Sequence, residues 1–255
     1  MRAFYKLMND EFRRMSRGAL AVSLAAALMP LIFISIETGR GAARYERFEN
    51  LYASSGSVML SCVFMIAMIG VFLLHHYAAY WNNKGVYTLL TLPVRRESLY
   101  FSRLAAFMLC FLLLWAGEGL SMWLGYELAA SKAASLSDGV GVMHEGWFLA
   151  VVRSPFFQII IPLTWKGLMS SLSLFIFITT GIYYGVLCER SRKYWGLAVL
   201  AVAAFYMMRV VKERLTIPGW YDSGFDWYRS SFILLAISAY FIWYGVRLMK
   251  RGSIA

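Results

Sequence analysis

The sequence predicts an all-α integral membrane protein, with six membrane-spanning helices and an N-terminal amphipathic helix at the membrane interface. Of its 255 residues, 60% are apolar and only 15% are charged, whereas soluble domains carry roughly 25% charged residues. Six segments are long and apolar enough to cross the roughly 30 Å hydrocarbon core of a bilayer. This composition excludes a disordered chain and a disulfide-stapled secreted domain, because only three cysteines occur, in or beside apolar segments.

The six predicted spans form a single transmembrane domain over residues 1–255, and they cover residues 19–35, 57–80, 104–128, 168–187, 194–211 and 230–249. An even number of spans places both termini on one side of the membrane. The first span could instead belong to a cleaved signal peptide. However, Asp10 and Glu11 precede it and no clean small-x-small cleavage site follows, so we expect it to be retained.

The charged residues divide unequally between the two sides of this topology. Fifteen of the 25 Lys and Arg residues, but only four acids, fall at the two termini and in the 81–103 and 188–193 loops. The net charge of +11 therefore lies on this side, which the positive-inside tendency makes cytoplasmic. The charge is thereby explained without a nucleic-acid partner, and it would also suit anionic lipid headgroups.

Residues 1–17 predict the interfacial helix. Phe4, Leu7, Met8, Phe12 and Met15 follow one another at helical spacing, and basic and polar residues occupy most of the remaining wheel. Such a helix lies in the cytoplasmic interface before the first span. An ordinary basic anchor without a mechanical role explains the pattern equally well.

The 81–103 loop is unusually apolar for a segment exposed to water. Pro93 cannot continue a helix that precedes it, and it disfavours the helical conformation at Leu92. We predict a short helix ending near Leu92, a break, and a second helix running from Arg95 into the third span. Apolar side chains on such a loop need a partner, although a helix half-buried in the interface would also satisfy them.

Between the second and third spans, the loop contains Gly85, Thr88, Leu89, Leu90, Leu92, Pro93, Val94 and Arg96, followed by Arg103 at the span entrance. With the basic amphipathic N-terminal helix and the six spans, this loop resembles that of the permease subunits of type-2 ATP-binding-cassette (ABC) exporters. The resemblance implies that residues 87–96 form a coupling helix in a groove of an ATPase subunit, and that residues 4–15 form the connecting or elbow helix. The implied coupling residues are Tyr87, Thr88, Leu89, Leu90, Leu92, Pro93, Arg95 and Arg96.

The resemblance also implies a function and partners. Two such permease chains, identical or homologous, would enclose a path in the cytoplasmic membrane for ATP-driven export of a hydrophobic or amphipathic substrate. ATP and Mg would be bound by two copies of a cytosolic ATPase. The alternatives are an ion- or proton-coupled carrier and a non-transporting immunity or sensor subunit on the same scaffold.

Two segments on the outer side are apolar but interrupted. Residues 143–163 contain two prolines and Arg153, which favours a re-entrant or interfacial segment over a span. Residues 212–229 have the aromatic composition of a membrane interface. They occupy the place of the re-entrant hairpin of the resembled family, and a plain interfacial loop is the alternative.

No catalytic or cofactor motif occurs in the sequence. It lacks the phosphate loop of ATPases, the His-Glu-x-x-His motif and the Gly-x-Ser-x-Gly motif. His75 and His76 are adjacent on a predicted helix and point about 100° apart, so they cannot clasp one metal ion together. We therefore expect no enzyme activity, no metal and no cofactor in this chain, and we interpret the histidines as structural.

Glu118 lies well inside the third predicted span, between Gly117 and Gly119. A charge there costs a few kcal/mol, which makes it a functional candidate, and the glycines permit a neighbouring helix to approach. Glu118 could line a substrate path, form a structural hydrogen bond or an ion pair with Lys166, or carry a coupled proton. With Trp115 and Trp123, it is the candidate for the translocation path or the permease interface.

Overall fold

The computed structural model describes residues 2–39, 46–81, 96–136, 146–216 and 225–250, and the regular structure in these ranges is helical. The helices are α1 (Arg2–Gly39), α2 (Phe48–Ser54), α3 (Ser57–Trp81), α4 (Arg96–Leu136), α5 (Trp147–Arg153), α6 (Pro155–Ile160), α7 (Trp165–Arg190), α8 (Tyr194–Thr216) and α9 (Phe225–Lys250).

Each predicted span lies within one of the six long helices, and these are long and apolar enough to cross a membrane. The prediction of six spans is therefore confirmed. The third span is longer than predicted, because α4 continues for 41 residues from Arg96 to Leu136. The predicted helix leading from Arg95 into this span is present and begins at Arg96.

The predicted interfacial helix is not separate from the first span. A single helix, α1, runs for 38 residues from Arg2 to Gly39 and includes both segments. Gly18, at the expected boundary, stays helical because it packs against α3: a Cβ atom added there would lie 3.0 Å from a methyl group of Val71. The small residue thus permits a close helix contact instead of ending the helix.

The two segments predicted to be interrupted, 143–163 and 212–229, differ in the secondary structure of their described residues. In the first, Ser154 has an extended backbone and caps α6 by accepting a hydrogen bond from the amide of Phe157, so the chain forms the two short helices α5 and α6. In the second, α8 continues past the predicted end at Val211 to Thr216, and α9 begins at Phe225. Residues 212–216 and 225–229 of the segment predicted to be re-entrant or interfacial are therefore helical, and residues 217–224 lie outside the described residues.

The longer α8 is explained by Arg214, which is buried although it is charged. Its guanidinium donates to the carbonyl of Ser170, 3.0 Å away, and to the hydroxyl of Ser231, 3.3 Å away. It also lies 5.9 Å from the ring centre of Trp227. These contacts with α7 and α9 satisfy the charge inside the bundle, so the helix need not end before it.

The bundle is organised around two helix pairs. Helix α1 packs along α4, and α9 packs along α7, while α4 also contacts α7 and α9. Gly117 brings the first pair into close contact, because a Cβ atom there would lie 2.7 Å from the carbonyl oxygen of Ser23. The packing leaves two ends. We call the end at which α3 stops and α4 starts the loop end, and the other the opposite end.

Candidate functional site

A buried ionic cluster joins three helices near the loop end. Glu11 on α1 accepts a hydrogen bond from Nε of Arg103 on α4, with a distance of 3.0 Å. The other carboxylate oxygen of Glu11 lies 3.3 Å from Nε2 of His75 on α3. The Glu11 and Arg103 side chains are only 11% and 10% exposed. Because an ion pair is little screened when buried, this cluster is a strong polar link between α1, α3 and α4.

The sequence contains a signal for this cluster that the helical-wheel analysis missed. Glu11 follows Met8 by three residues and precedes Met15 by four, so it lies on the apolar face of α1 and not on the basic face. An acid on an apolar helix face needs a buried cation. Arg103, which the family resemblance singled out at the span entrance, provides it.

Four further contacts, two at each side, connect the helix ends that flank residues 82–95 to other helices. On α4, Glu97 forms a 2.6 Å ion pair with Lys250 of α9, and Arg96 donates to the backbone carbonyl of Lys250 at 3.3 Å. On α3, the Tyr77 hydroxyl donates to Glu189 near the end of α7. The Arg190 guanidinium lies 5.7 Å from the centre of the Tyr77 ring.

This arrangement connects both ends of the 82–95 segment to the rest of the bundle. The end of α3 is attached to α1 and α7, and the start of α4 is attached to α1 and α9. A displacement of the segment would therefore act on five of the long helices through polar contacts. Of the predicted coupling residues, Tyr87, Thr88, Leu89, Leu90, Leu92, Pro93 and Arg95 lie outside the described residues, and Arg96 is the first residue of α4.

Glu118 lies in a second polar cluster, on the side of α4 that faces α2 and α3. It is buried, with the hydroxyl of Ser61 beside its carboxyl group. Burial, and to a smaller extent the charge of Glu118, raises the pKa of the Tyr52 hydroxyl above its usual range. The suggested ion pair with Lys166 is not formed in the described structure, since Lys166 is exposed at the start of α7.

The cluster around Glu118 contains polar atoms that are not fully paired. The hydroxyls of Tyr52 and Ser121 are buried close to each other and to Ser61, but neither makes a hydrogen bond of regular geometry in the described part of the chain. A buried carboxyl among hydroxyl groups, within a membrane-spanning helix, is costly unless it is neutral or paired. Such a cost is typical of a functional position.

The two tryptophans occupy different environments. Trp115 is partly buried between α4 and α7, where its indole nitrogen donates to the carbonyl of Ile160 at 2.8 Å and its ring lies 5.6 Å from that of Phe175. Trp123 is 50% exposed on the outer surface of α4. The structure thus does not bring Glu118, Trp115 and Trp123 together at one site.

The histidines and cysteines have structural surroundings. His75 belongs to the ionic cluster, and His76 is buried with its ring stacked on Phe72 at 5.8 Å. In the described ranges no group of three or more His, Cys, Asp or Glu side chains could hold a metal ion. Cys62, Cys110 and Cys188 are free thiols, and the last two are buried.

Six membrane-length helices, with charged contacts around one interhelical loop, define a multi-pass α-helical membrane protein. Residues 7–181 match the family described as ABC-2 family transporter protein. The match covers more than half of the chain, so the chain belongs to this family and is a membrane permease of the ABC-2 type. The comparisons with curated proteins and with solved structures gave no match.

Proposed function

We propose that this permease works with a second permease chain, identical or homologous, in ATP-driven export of a hydrophobic or amphipathic substrate such as a drug, a peptide or a lipid. Hydrolysis takes place in a separate ATPase subunit, present in two copies, which binds ATP and Mg. The coupling contact is the 82–95 segment, with Leu89, Leu90, Leu92 and Pro93 against the ATPase and Arg95 and Arg96 at the rim.

The observation that carries this proposal is the attachment of the helix ends on both sides of residues 82–95. Closure of the two ATPases would displace the segment, and the contacts of Glu11, Tyr77 and Glu97 would pass the displacement to α1, α7 and α9. A loop that served only as a connection would not need polar links to three other helices. Transport then follows as a shift between inward-open and outward-open states.

The proposed location is the cytoplasmic membrane, with both termini and the loop end in the cytoplasm. The charge distribution supports this orientation, because the loop end and the two termini hold the excess of Lys and Arg. The exposed face of α1 near the loop end is itself basic, with Lys6, Arg13 and Arg14 exposed. A basic surface of this kind suits either anionic headgroups or an acidic ATPase surface.

Within this proposal, Glu118, Trp115 and Trp123 belong to the translocation path or to the interface between permeases. Burial of Glu118 among hydroxyl groups supports a role inside the bundle, and exposure of Trp123 supports a role at a contact with another chain. We expect Glu118→Gln to lower stimulated ATPase activity or export. If assembly, ATPase activity and export all stayed at the unmodified level, Glu118 would have no such role.

The coupling contact is tested by replacing Leu89 and Leu92 together with Asp. Two buried charges would destroy an apolar contact, so the tagged double variant should insert normally and lose the co-purifying ATPase. The matched control carries the same two substitutions at Leu149 and Leu163, which are 37% and 44% exposed near the opposite end. Both control positions lie outside the membrane-spanning helices.

The outcomes separate the competing functions. Loss of the ATPase from the Leu89/Leu92 variant, but not from the control, supports the proposal. Normal co-purification of an ATPase by both variants would overturn the assignment of the coupling contact. A chain that purifies from mild detergent as an oligomer without any ATPase would favour the coupled carrier instead.

A further inference from the structure

Two buried acids of this chain have opposite surroundings. Glu11 and Glu118 are each only 8% exposed. The Glu11 carboxyl group lies 3.0 Å from Nε of Arg103 and 3.3 Å from Nε2 of His75, so its negative charge is paired. Among the described residues, no lysine, arginine or histidine forms an ion pair with Glu118. The charge of Glu118 therefore has to be neutralised in another way.

The described groups that face Glu118 are uncharged. The hydroxyl of Tyr52 comes from α2 and the thiol of Cys62 from α3, and neither carries a charge at neutral pH. On the other sides of α4 at this level, α1 contributes Ser23 and the connection before α7 contributes Ile161. An ionised Glu118 would be a single negative charge inside a membrane-spanning bundle, with no counter-charge in this part of the described structure.

The directions of the hydrogen bonds around Glu118 also favour the neutral acid. The Ser61 hydroxyl lies beside the carboxyl group and donates its hydrogen to the carbonyl of Ser57, 3.2 Å away. The Ser61 oxygen is then left as an acceptor toward Glu118, and only a protonated carboxyl group has a hydrogen to donate to it. The hydroxyls of Tyr52 and Ser121 do not donate to Glu118 with regular geometry either. A proton on Glu118 turns two facing acceptors into a hydrogen bond.

A row of serine hydroxyls leads from Glu118 toward the surface at the opposite end. Ser57 and Ser61 are four residues apart and so lie on one face of α3. The Ser57 hydroxyl lies 2.8 Å from that of Ser55, in the turn between α2 and α3. Ser55 is partly exposed, whereas Ser57 and Ser61 are buried. This row offers a proton a polar route between Glu118 and the opposite end.

We infer that Glu118 is a proton-binding site, which holds its proton in the described conformation and exchanges it with the opposite side of the membrane along the row of serines. The bond that forms and breaks is the O–H bond of the carboxyl group, and water at the opposite end supplies or takes up the proton. Loss of the proton leaves a buried charge between α3 and α4, which should loosen their contact. The site needs only the permease chain, so it goes beyond the proposed function and does not depend on export.

The proton is detected by infrared spectroscopy of the full-length chain, purified at neutral pH in a detergent without carbonyl groups. A protonated carboxyl group has a carbonyl band separate from the bands of a carboxylate. Glu118→Gln should remove this band. The matched control is Glu127→Gln, at an exposed position of the same helix, and it should keep the band. Ser61→Ala should shift the band without removing it, because Glu118 keeps its proton and loses the acceptor.

The route is tested by transfer of the same samples into heavy water, where the band shifts as deuterium replaces the proton. Ser57→Ala should slow this shift, because it interrupts the row of hydroxyls. Ser131→Ala, at an exposed serine of α4, is the control and should leave the rate unchanged. An unchanged rate in Ser57→Ala would overturn the route along the serines.

A second measurement compares the thermal stability of the unmodified chain with that of Glu118→Gln as the pH rises from mildly acidic to neutral values. The unmodified chain should lose stability relative to the variant, because its native state keeps a proton that the unfolded chain releases. Glutamine resembles the protonated acid, so the variant should be at least as stable at neutral pH. Glu127→Gln should follow the unmodified chain.

Three results would overturn the proton site. The first is a protonated-carboxyl band that is absent from the unmodified chain or persists in Glu118→Gln. The second is an equal pH dependence of stability in these two chains. The third is stabilisation of the unmodified chain, but not of Glu118→Gln, by sodium chloride over choline chloride, since a bound sodium ion would then neutralise the charge. Absence of an ATPase from native preparations would contradict the proposed function and leave these measurements unaffected.

Discussion

Two groups of contacts, one near each end of the bundle, hold the helices together by different means. At the loop end the helices are joined by charged and hydroxyl side chains, with Glu11 bound by Arg103 and His75 and with Glu97 bound by Lys250. At the opposite end an aromatic cluster joins α2, α4, α5 and α6. Its members are Phe48, Tyr52, Tyr126, Trp147 and Phe157.

The geometry of the aromatic cluster makes it resistant to rearrangement. Phe157 lies 5.0 Å from Tyr52, 5.7 Å from Phe48 and 6.1 Å from Trp147 between ring centres. Rings packed this closely cannot slide past one another without losing many contacts at once. The polar contacts of the loop end are few and directional, so each can be broken and remade singly. The comparison teaches that the polar contacts can change one at a time, whereas the aromatic cluster must rearrange as a unit.

Of the variants in this comparison, Arg103→Ala is expected to lower the stability of the fold most. Among the described residues, Glu11 then keeps only His75, and loss of one partner from a buried ion pair costs about 3–5 kcal/mol. The loss is measured as a lower thermal stability of the purified chain in detergent, and the readout is the fraction that stays monodisperse after heating. Under the proposed function, coupling to the ATPase should fall as well, because the ionic link between α1 and α4 near the loop end is lost.

A double variant, Glu11→Leu with Arg103→Leu, is the control for this prediction. Apolar replacement of both members of a buried pair is often neutral or stabilising. The stability of the double variant should therefore return to that of the unmodified chain, while its coupling to the ATPase stays low. If the double variant were no more stable than Arg103→Ala, the buried charge would not explain the loss.

A smaller loss of stability is expected for Phe157→Leu at the opposite end. Leucine keeps much of the volume but loses the ring contacts, at a cost of about 1–3 kcal/mol. Stability should fall in the same thermal assay, while the ATPase activity per folded complex stays unchanged. A specific loss of coupling in this variant would contradict the contrast between the two ends.

The smallest effect is expected for Lys250→Gln, which removes the ion pair with Glu97. Their side chains are 58% and 44% exposed, and exposed pairs contribute about 0–1 kcal/mol. The small difference from the unmodified chain should vanish at high salt, because salt screens exposed charges. A salt-independent loss comparable to that of Arg103→Ala would mean that this exposed pair, and not the buried cluster, holds the loop end.

Much of the fold could be predicted from the sequence, because membrane spans have a strong one-dimensional signal. Each apolar run must match the thickness of the hydrocarbon core, and each of the six predictions lies in a long helix. Helix ends were harder to predict. The helix predicted over 1–17 and the span predicted from residue 19 are one helix, in which Gly18 fits against Val71. The span predicted to end at Val211 continues to Thr216, because Arg214 finds buried partners on α7 and α9.

The candidate site was predictable only in part. The 82–95 segment has a local pattern of apolar residues around Pro93, which a family resemblance can detect. The contacts around it link residues far apart in the chain, such as Glu11 with Arg103, and no local pattern specifies such pairs.

The sequence alone determined the number of spans, their order and the side that carries the excess positive charge, because these depend on hydropathy and charge along the chain. Tertiary structure decided which surroundings each of two nearby residues has. Asp10 is exposed while Glu11 is buried in the ionic cluster, and Gly117 meets Ser23 of α1 while Gly119 approaches Ile161, which precedes α7. Successive side chains on a helix point about 100° apart. The surroundings of each residue therefore depend on which helix packs against its face.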